Sequence, residues 1–193
     1  EEAEEDLLAL AGVGDANLRS SLWETLRGRS SWLFINMLTA VLASAVIGVF
    51  DATIEQIVAL AILMPIVASM GGNAGTQTMT LAVRAIALRQ LDATATRQFF
   101  LRELIVATAN GLLFAALAAG LSYFWFGDQN IAIVMAVAML ANLLVAGLSG
   151  TFVPVGLMRA GVDPAVASSV FVTTITDVVG FFVFLGLAAL YLI

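Results

Sequence analysis

The run DPAVASSVFVTTITDVVGFFVFLGLAALYLI, residues 163–193, decides how the whole chain is read. After Asp163 it holds a single charged side chain, Asp177, and no basic residue. Its length exceeds the roughly 20 helical residues that cross a bilayer core. Asp163 followed by Pro164 reads as a helix start, because the carboxylate can accept from the first free N–H groups and proline lacks an N–H that would have no partner there. Ser169, Thr173, Asp177 and Gly180 recur at helical spacing and share one face, with Val, Phe and Ile opposite. A carboxylate with about fourteen residues of apolar span on either side costs about 2.5–3.5 kcal/mol to insert, so it is expected to face protein or water. Hydroxyls leading to one carboxylate supply the oxygen lining that a cation path needs.

The rest of the sequence agrees with a membrane setting. Of 193 residues, 61% are hydrophobic and 11% charged, against about 25% charged in soluble domains, and the mean hydropathy is +1.02. Five spans are expected: Trp32 to Phe50, Ile54 to Ala87, Phe99 to Phe126, Ile131 to Met158, and the run from Asp163 to the C-terminus. Asp51 to Thr53, Gly127 to Asn130 and Arg159 to Val162 read as turns, leaving no room for a soluble domain after Trp32. The fold class is therefore all-α, a membrane protein of five transmembrane helices.

Charge placement gives an orientation. All eight basic residues are Arg, and they flank span 1 on its N-terminal side, the turn between spans 2 and 3, and the turn between spans 4 and 5. Enrichment of positive charge on cytoplasmic loops puts the N-terminus in the cytoplasm and the C-terminus outside. Trp23, Trp32, Tyr123, Trp125 and Tyr191 fall near the expected membrane edges and read as interfacial anchors. The net charge of −6 describes an acidic tail, Glu1 to Asp6, within a lead-in segment of residues 1–30 that precedes a five-helix transmembrane domain of residues 31–193. The first residue is Glu rather than Met, and the chain reads as a cut piece or a processed product.

With no Cys and no His, disulfide frameworks, Cys/His zinc sites and Ser-His or Cys-His nucleophile pairs are excluded. No phosphate loop or acid/base pair appears, so an enzyme is not expected, and nothing marks a nucleic-acid partner. Membrane lipid is the partner that composition implies.

Span 2 carries the second polar constellation, from Pro65 to Thr80. Asn73, Thr76, Gln77 and Thr80 fall at i, i+3, i+4 and i+7 on one face, and Asn73 and Gln77 are expected to line a wet path. Gly71, Gly72 and Gly75 serve either close helix packing or a loosened backbone whose carbonyls line a cavity. Asn110 and Asn142 are expected to make hydrogen bonds between helices, and Gly147, Gly150, Ala116 and Gly120 to mark close helix contacts. Asp51, Glu55, Glu103 and Asp163 lie near enough to span ends to reach water.

At spans 2 and 5 the sequence resembles the transmembrane domain of the MgtE family of magnesium channels. The likeness rests on Gly71-Gly72-Asn73 and Gly75-Thr76-Gln77 after Pro65, and on Asp163-Pro164-Ala165, Ser168-Ser169, Phe171 to Thr174, Thr176-Asp177 and Gly180 to Phe182. It covers the chain from about Ser31 to the end. The resemblance implies a homodimer in a cell (inner) membrane with its pore at the subunit interface, lined by spans 2 and 5. It makes Asp177 the main cation-site carboxylate, with Thr173 and Ser169 beside it and Asn73, Thr76 and Gln77 facing it. Mg²⁺ is the implied transported ion, and Mn²⁺, Co²⁺ and Zn²⁺ are ions that an oxygen site can also pass. Passive, potential-driven flux is the expected mechanism, with exchange of Mg²⁺ for Na⁺ or H⁺ as the alternative. Family members usually carry cytoplasmic magnesium-sensing domains joined by a helix; residues 1–30 could be only that connecting helix, so by the resemblance the sensor is either cut away or absent.

Overall fold

The computed structural model describes residues 21–90 and 93–193. Among them the chain forms six helices in order: α1 (Leu22–Gly48), α2 (Asp51–Gln56), α3 (Val58–Ala87), α4 (Ala93–Phe126), α5 (Gln129–Arg159) and α6 (Pro164–Tyr191). All but the six-residue α2 are long and apolar enough to cross a membrane. The protein is a multi-pass helical membrane protein, as its composition demands.

Each helix begins where local chemistry allows. Ser21 caps α1 with a reciprocal pair, the Glu24 N–H donating to Ser21 Oγ at 3.2 Å and the Ser21 N–H to Glu24 Oε2 at 3.1 Å. From there α1 runs through the expected boundary at residues 30 and 31 without a break and starts ten residues before Trp32; the acidic stretch Glu1 to Asp6 lies outside the described residues. Asp128 caps α5 by accepting from the Asn130 N–H at 2.7 Å, and Asp163 caps α6 by accepting from the Ala165 N–H at 2.9 Å, with Pro164 in the first turn. The turn after α3 places Arg89 at φ 51°. There the Gln90 N–H reaches back to the Ala85 carbonyl and the Arg89 N–H to the Ile86 carbonyl, a Schellman closure usually built on glycine.

The expected second span, Ile54 to Ala87, is two helices. Ile57, at φ −130° and ψ 81°, interrupts it, so α2 is a separate turn of helix at the membrane edge. Pro65 lies inside α3 without ending it. The glycines of α3 are therefore helical, and Gly71 and Gly75 serve close packing.

Helix α5 is the hub, with α4, α3 and α6 packed around it. Leu60, Leu63 and Val67 of α3, Met135, Met139 and Leu143 of α5, and Phe184 and Leu185 of α6 form the fully buried centre. The outward sides of α1 and α4 are apolar and exposed, including Leu33, Phe34, Ile105, Leu112 and Leu117, as lipid-facing surfaces are. Helix α1 packs along α6, where the Phe50 ring at its end meets Phe182 edge-on at 5.9 Å. Trp23, Tyr123, Trp125 and Tyr191 are exposed at helix ends, consistent with interfacial anchoring.

Candidate functional site

The joint between α3 and α6 is made by a third helix. Asn142 of α5 is fully buried between Gly71 and Gly180. Its Nδ2 donates to the Val67 carbonyl of α3 at 2.8 Å. A Cβ on Gly180 would lie 2.8 Å from that nitrogen, and one on Gly71 would lie 2.8 Å from Asn142 Cγ, so both helices need glycine where the amide enters. Asn142 thus makes the interhelical bond expected of it. Gly147 and Gly150 also sit in close contacts, whereas nothing approaches Gly120 within 4 Å and Ala116 is exposed, so those two are not packing positions.

Beyond this joint α3 and α6 part slightly and leave an open groove of about 390 Å³. It is lined by Ala68, Ser69, Gly72, Asn73 and Thr76 from α3 and by Thr173 and Asp177 from α6. Asp177 and Thr173 are partly buried, and Ser69, Asn73 and Thr76 are exposed on its other wall. Gly72 adds no side chain to this wall; a Cβ there would meet only the Thr173 methyl, at 4.0 Å, an ordinary contact.

The two threonine hydroxyls of this groove have already used their protons. Thr76 Oγ1 donates to the Gly72 carbonyl at 2.8 Å, and Thr173 Oγ1 to the Ser169 carbonyl at 2.8 Å. Asn73 Nδ2 donates to Ser69 Oγ at 3.3 Å. What the two threonines turn toward the groove is lone pairs, beside the Asp177 carboxylate and the amide oxygen that Asn73 can offer. An acceptor-rich lining suits a cation or the outward-pointing protons of its water shell.

Of the six residues singled out in the sequence, four come together. Asn73, Thr76, Thr173 and Asp177 meet in the groove, with Ser69 and Gly72 added to them. Ser169 lies one turn before Thr173, and its backbone carbonyl is what holds the Thr173 hydroxyl. Gln77 points elsewhere, into a separate cavity with Thr78, Glu103 and Asn110. Ser69 sits one helical turn before Asn73, so the same spacing argument extended backward would have found it. Among the described residues no three acidic side chains cluster as a chelating set.

Five membrane-length helices around a carboxylate-bearing polar groove define a polytopic membrane protein with a hydrophilic lining between two of its spans. Residues 64–187 match the family model for MgtE, described as a divalent cation transporter, and the chain belongs to that family. It is similar to the magnesium transporter MgtE of Thermus thermophilus, with 36% identity over 197 residues, covering 99% of this chain and 43% of that protein. The magnesium transporters MgtE of Bacillus subtilis and Enterococcus faecalis are 28% and 25% identical over 192 residues each, covering 99% and 100% of this chain. The chain spans less than half the length of these relatives, 43% and 42% of the latter two.

Proposed function

We propose that this chain carries Mg²⁺ across a cell (inner) membrane as the pore domain of a passive, potential-driven homodimeric channel lined by α3 and α6. The observation that carries the proposal is the open groove in which Asp177 and Thr173 face Asn73 and Thr76. A groove open along one side becomes a closed conduit when a second copy covers it, and the second copy adds a second Asp177. Two nearby carboxylates repel one another and favour a multivalent neutraliser. Mg²⁺ sheds water reluctantly and is held through its hydration shell with few protein ligands, which fits one carboxylate per copy among hydroxyl and amide oxygens. Relatives named magnesium transporters support Mg²⁺ as the cargo.

An inside-negative potential supplies about 2.3 kcal/mol per charge per 100 mV, and about twice that for a divalent ion, so no coupling ion is required. The Arg-bearing turns lie on the cytoplasmic side in this proposal, with the N-terminus inside and the C-terminus outside.

The test is Mg²⁺ uptake into proteoliposomes with the potential clamped and Na⁺ and pH gradients varied independently. Uptake following potential alone, and at least about tenfold lower for Asp177→Asn at unchanged assembly, is expected from loss of the pore's one deep charge. Asn73→Ala is expected to alter the order of divalent ion preference. Uptake that needs a Na⁺ or H⁺ gradient makes the protein an exchanger, and full flux through Asp177→Asn removes the groove from the path.

A further inference from the structure

Helices α3 and α4 both pack near α5 but touch one another at few points, so a seam stays open between them. Close to the turn that joins them, Leu81 and Arg84 of α3 and Gln90 of the turn face Phe99 and Arg102 of α4 across a cleft of about 240 Å³. Leu81, Arg102 and Glu103 also line the cavity behind α3, so the cleft continues along the seam. Its depth follows from helix geometry. From Arg102 to Trp125, α4 rises about 35 Å at 1.5 Å per residue. With Trp125 at one membrane edge, that rise exceeds the roughly 30 Å hydrocarbon core and sets Arg102 among the opposite headgroups.

The charges of this cleft do not cancel. Glu103 was expected to reach water, yet it is buried and accepts from Thr78 Oγ1 at 2.9 Å. Among the described residues neither Arg84 nor Arg102 makes an ion pair or a side-chain hydrogen bond. Even with Glu103 counted as a full negative charge, the two guanidinium groups leave one positive charge over. The same excess holds along the chain, where four Arg stand against two acids between residues 84 and 103. Solitary surface arginines are satisfied by water. These two converge instead on one cleft whose other walls include Leu81 and Phe99, and Leu81 and Val106 carry an exposed apolar edge onward from it.

We propose that this cleft is a binding site for an anionic phospholipid, with Arg84 and Arg102 on the phosphodiester, Gln90 as a neutral donor, and an acyl chain laid along the seam over Leu81 and Val106. A phosphodiester brings one negative charge, which is the excess to be cancelled, and its paired oxygens match the fork of a guanidinium. A zwitterionic lipid carries its own cation beside the phosphate and leaves the excess in place. Free phosphate would satisfy the arginines but leave the apolar seam uncovered, so a lipid is the better occupant. Bound there, it ties α3 to α4 where few direct contacts do. The site needs neither Mg²⁺ nor a second copy of the chain.

The experiment melts the full chain in dodecyl maltoside micelles with EDTA, adding phosphatidylglycerol, phosphatidylcholine with the same acyl chains, or inorganic phosphate. A saturable rise in melting temperature with phosphatidylglycerol is expected, at a concentration well below any effect of phosphatidylcholine. In the double variant Arg84→Gln with Arg102→Gln, the half-effect concentration rises at least about tenfold, equivalent to about 1.4 kcal/mol. Arg27→Gln with Arg29→Gln removes the same charge from α1, which packs on α6, and should leave the half-effect concentration unchanged. If the cleft double variant yields no folded protein, Arg84→Gln alone carries the test with the same direction of change. Equal responses to the two lipids overturn the proposal, as does an unchanged half-effect concentration in the cleft variant. Equal losses in the two double variants reduce the response to the general attraction of basic residues for anionic surfaces and overturn it too. A rise with inorganic phosphate that matches the one with phosphatidylglycerol makes the cleft a free-anion site and overturns the lipid.

Discussion

Replacing Gly180 by Ala tests whether Asn142 is the joint that sets the spacing of α3 and α6. The new Cβ would stand 2.8 Å from Asn142 Nδ2 and 3.0 Å from its Cγ and Oδ1, whereas non-bonded carbon contacts settle at about 3.5–4.0 Å. The amide must therefore retreat by about 0.7 Å or more, toward Gly71 and away from the space it fills. Gly71 and Val67 both lie on α3, so the retreat crowds the amide against Gly71 and tilts it out of line with the Val67 carbonyl that accepts from it at 2.8 Å, and a misaligned hydrogen bond weakens steeply. Losing such a bond in a membrane costs about 0.6 kcal/mol and at most about 1.7, and overpacking adds about 1–3. Ala regains about 0.8–1.0 kcal/mol of helix propensity over Gly. The net expectation is a loss of about 1–3 kcal/mol, read as a fall of about 2–4 °C in melting temperature for each kcal/mol. The diagnostic is the double variant: Asn142→Ala removes the atoms that clash, so Gly180→Ala in that background should cost little. Circular dichroism melts of the four proteins in one detergent supply the cycle. A Gly180→Ala protein that melts with the wild type, or effects of the two changes that simply add, refutes the joint, since residues in contact should couple by at least about 0.5 kcal/mol.

Two further substitutions probe the backbone. Arg89 holds a left-handed conformation at φ 51°, which costs an L-residue about 1–2 kcal/mol, so Arg89→Gly is expected to raise the melting temperature, and an unchanged or lower value counts against strain at that turn. Gly150→Ala would set a Cβ 2.8 Å from the Gly75 carbonyl oxygen and 3.0 Å from the Met79 nitrogen. Backbone cannot step aside as a side chain can, and a loss above about 1–3 kcal/mol is expected. Gly120→Ala, with nothing within 4 Å, is the matched control and should be neutral or slightly stabilising in the same melts.

The number and order of spans were legible because apolar runs of bilayer length separated by Gly, Asp and Arg have few other readings. The interruption at Ile57 was not, since Ile54 to Pro65 is apolar apart from Glu55 and Gln56 and carries no turn residue at the break. The groove was read from helical spacing, which groups Asn73, Thr76 and Gln77 on a face about 100° wide. The groove occupies only part of that face, and Gln77 falls past its edge into the cavity behind α3. Asn142 was identifiable as an interhelical donor from its isolation in an apolar span, yet its acceptor, the Val67 carbonyl, is 75 positions away and belongs to a backbone that carries no sequence signal. Glu103 misled for a related reason: beside Arg102, within reach of a span end, it has the pattern of an interfacial residue, and only the packing of α3 over it buries it.

The pairing of α1 with α6 has a consequence for how the molecule is made. Synthesis proceeds from the N-terminus, so the first membrane-length helix in the described chain emerges long before the helix it packs against. Through the insertion of α3, α4 and α5 it stands in lipid without that partner, and nearly its whole circumference is suited to doing so: Ala43 is its one buried residue. Helix–helix association in a bilayer follows insertion as a separate stage, and here that stage waits for the last span. A chain shortened before Pro164 would retain every earlier helix and leave α1 unattached, so within the described chain α1 gains its partner only with α6, the same helix that carries Asp177.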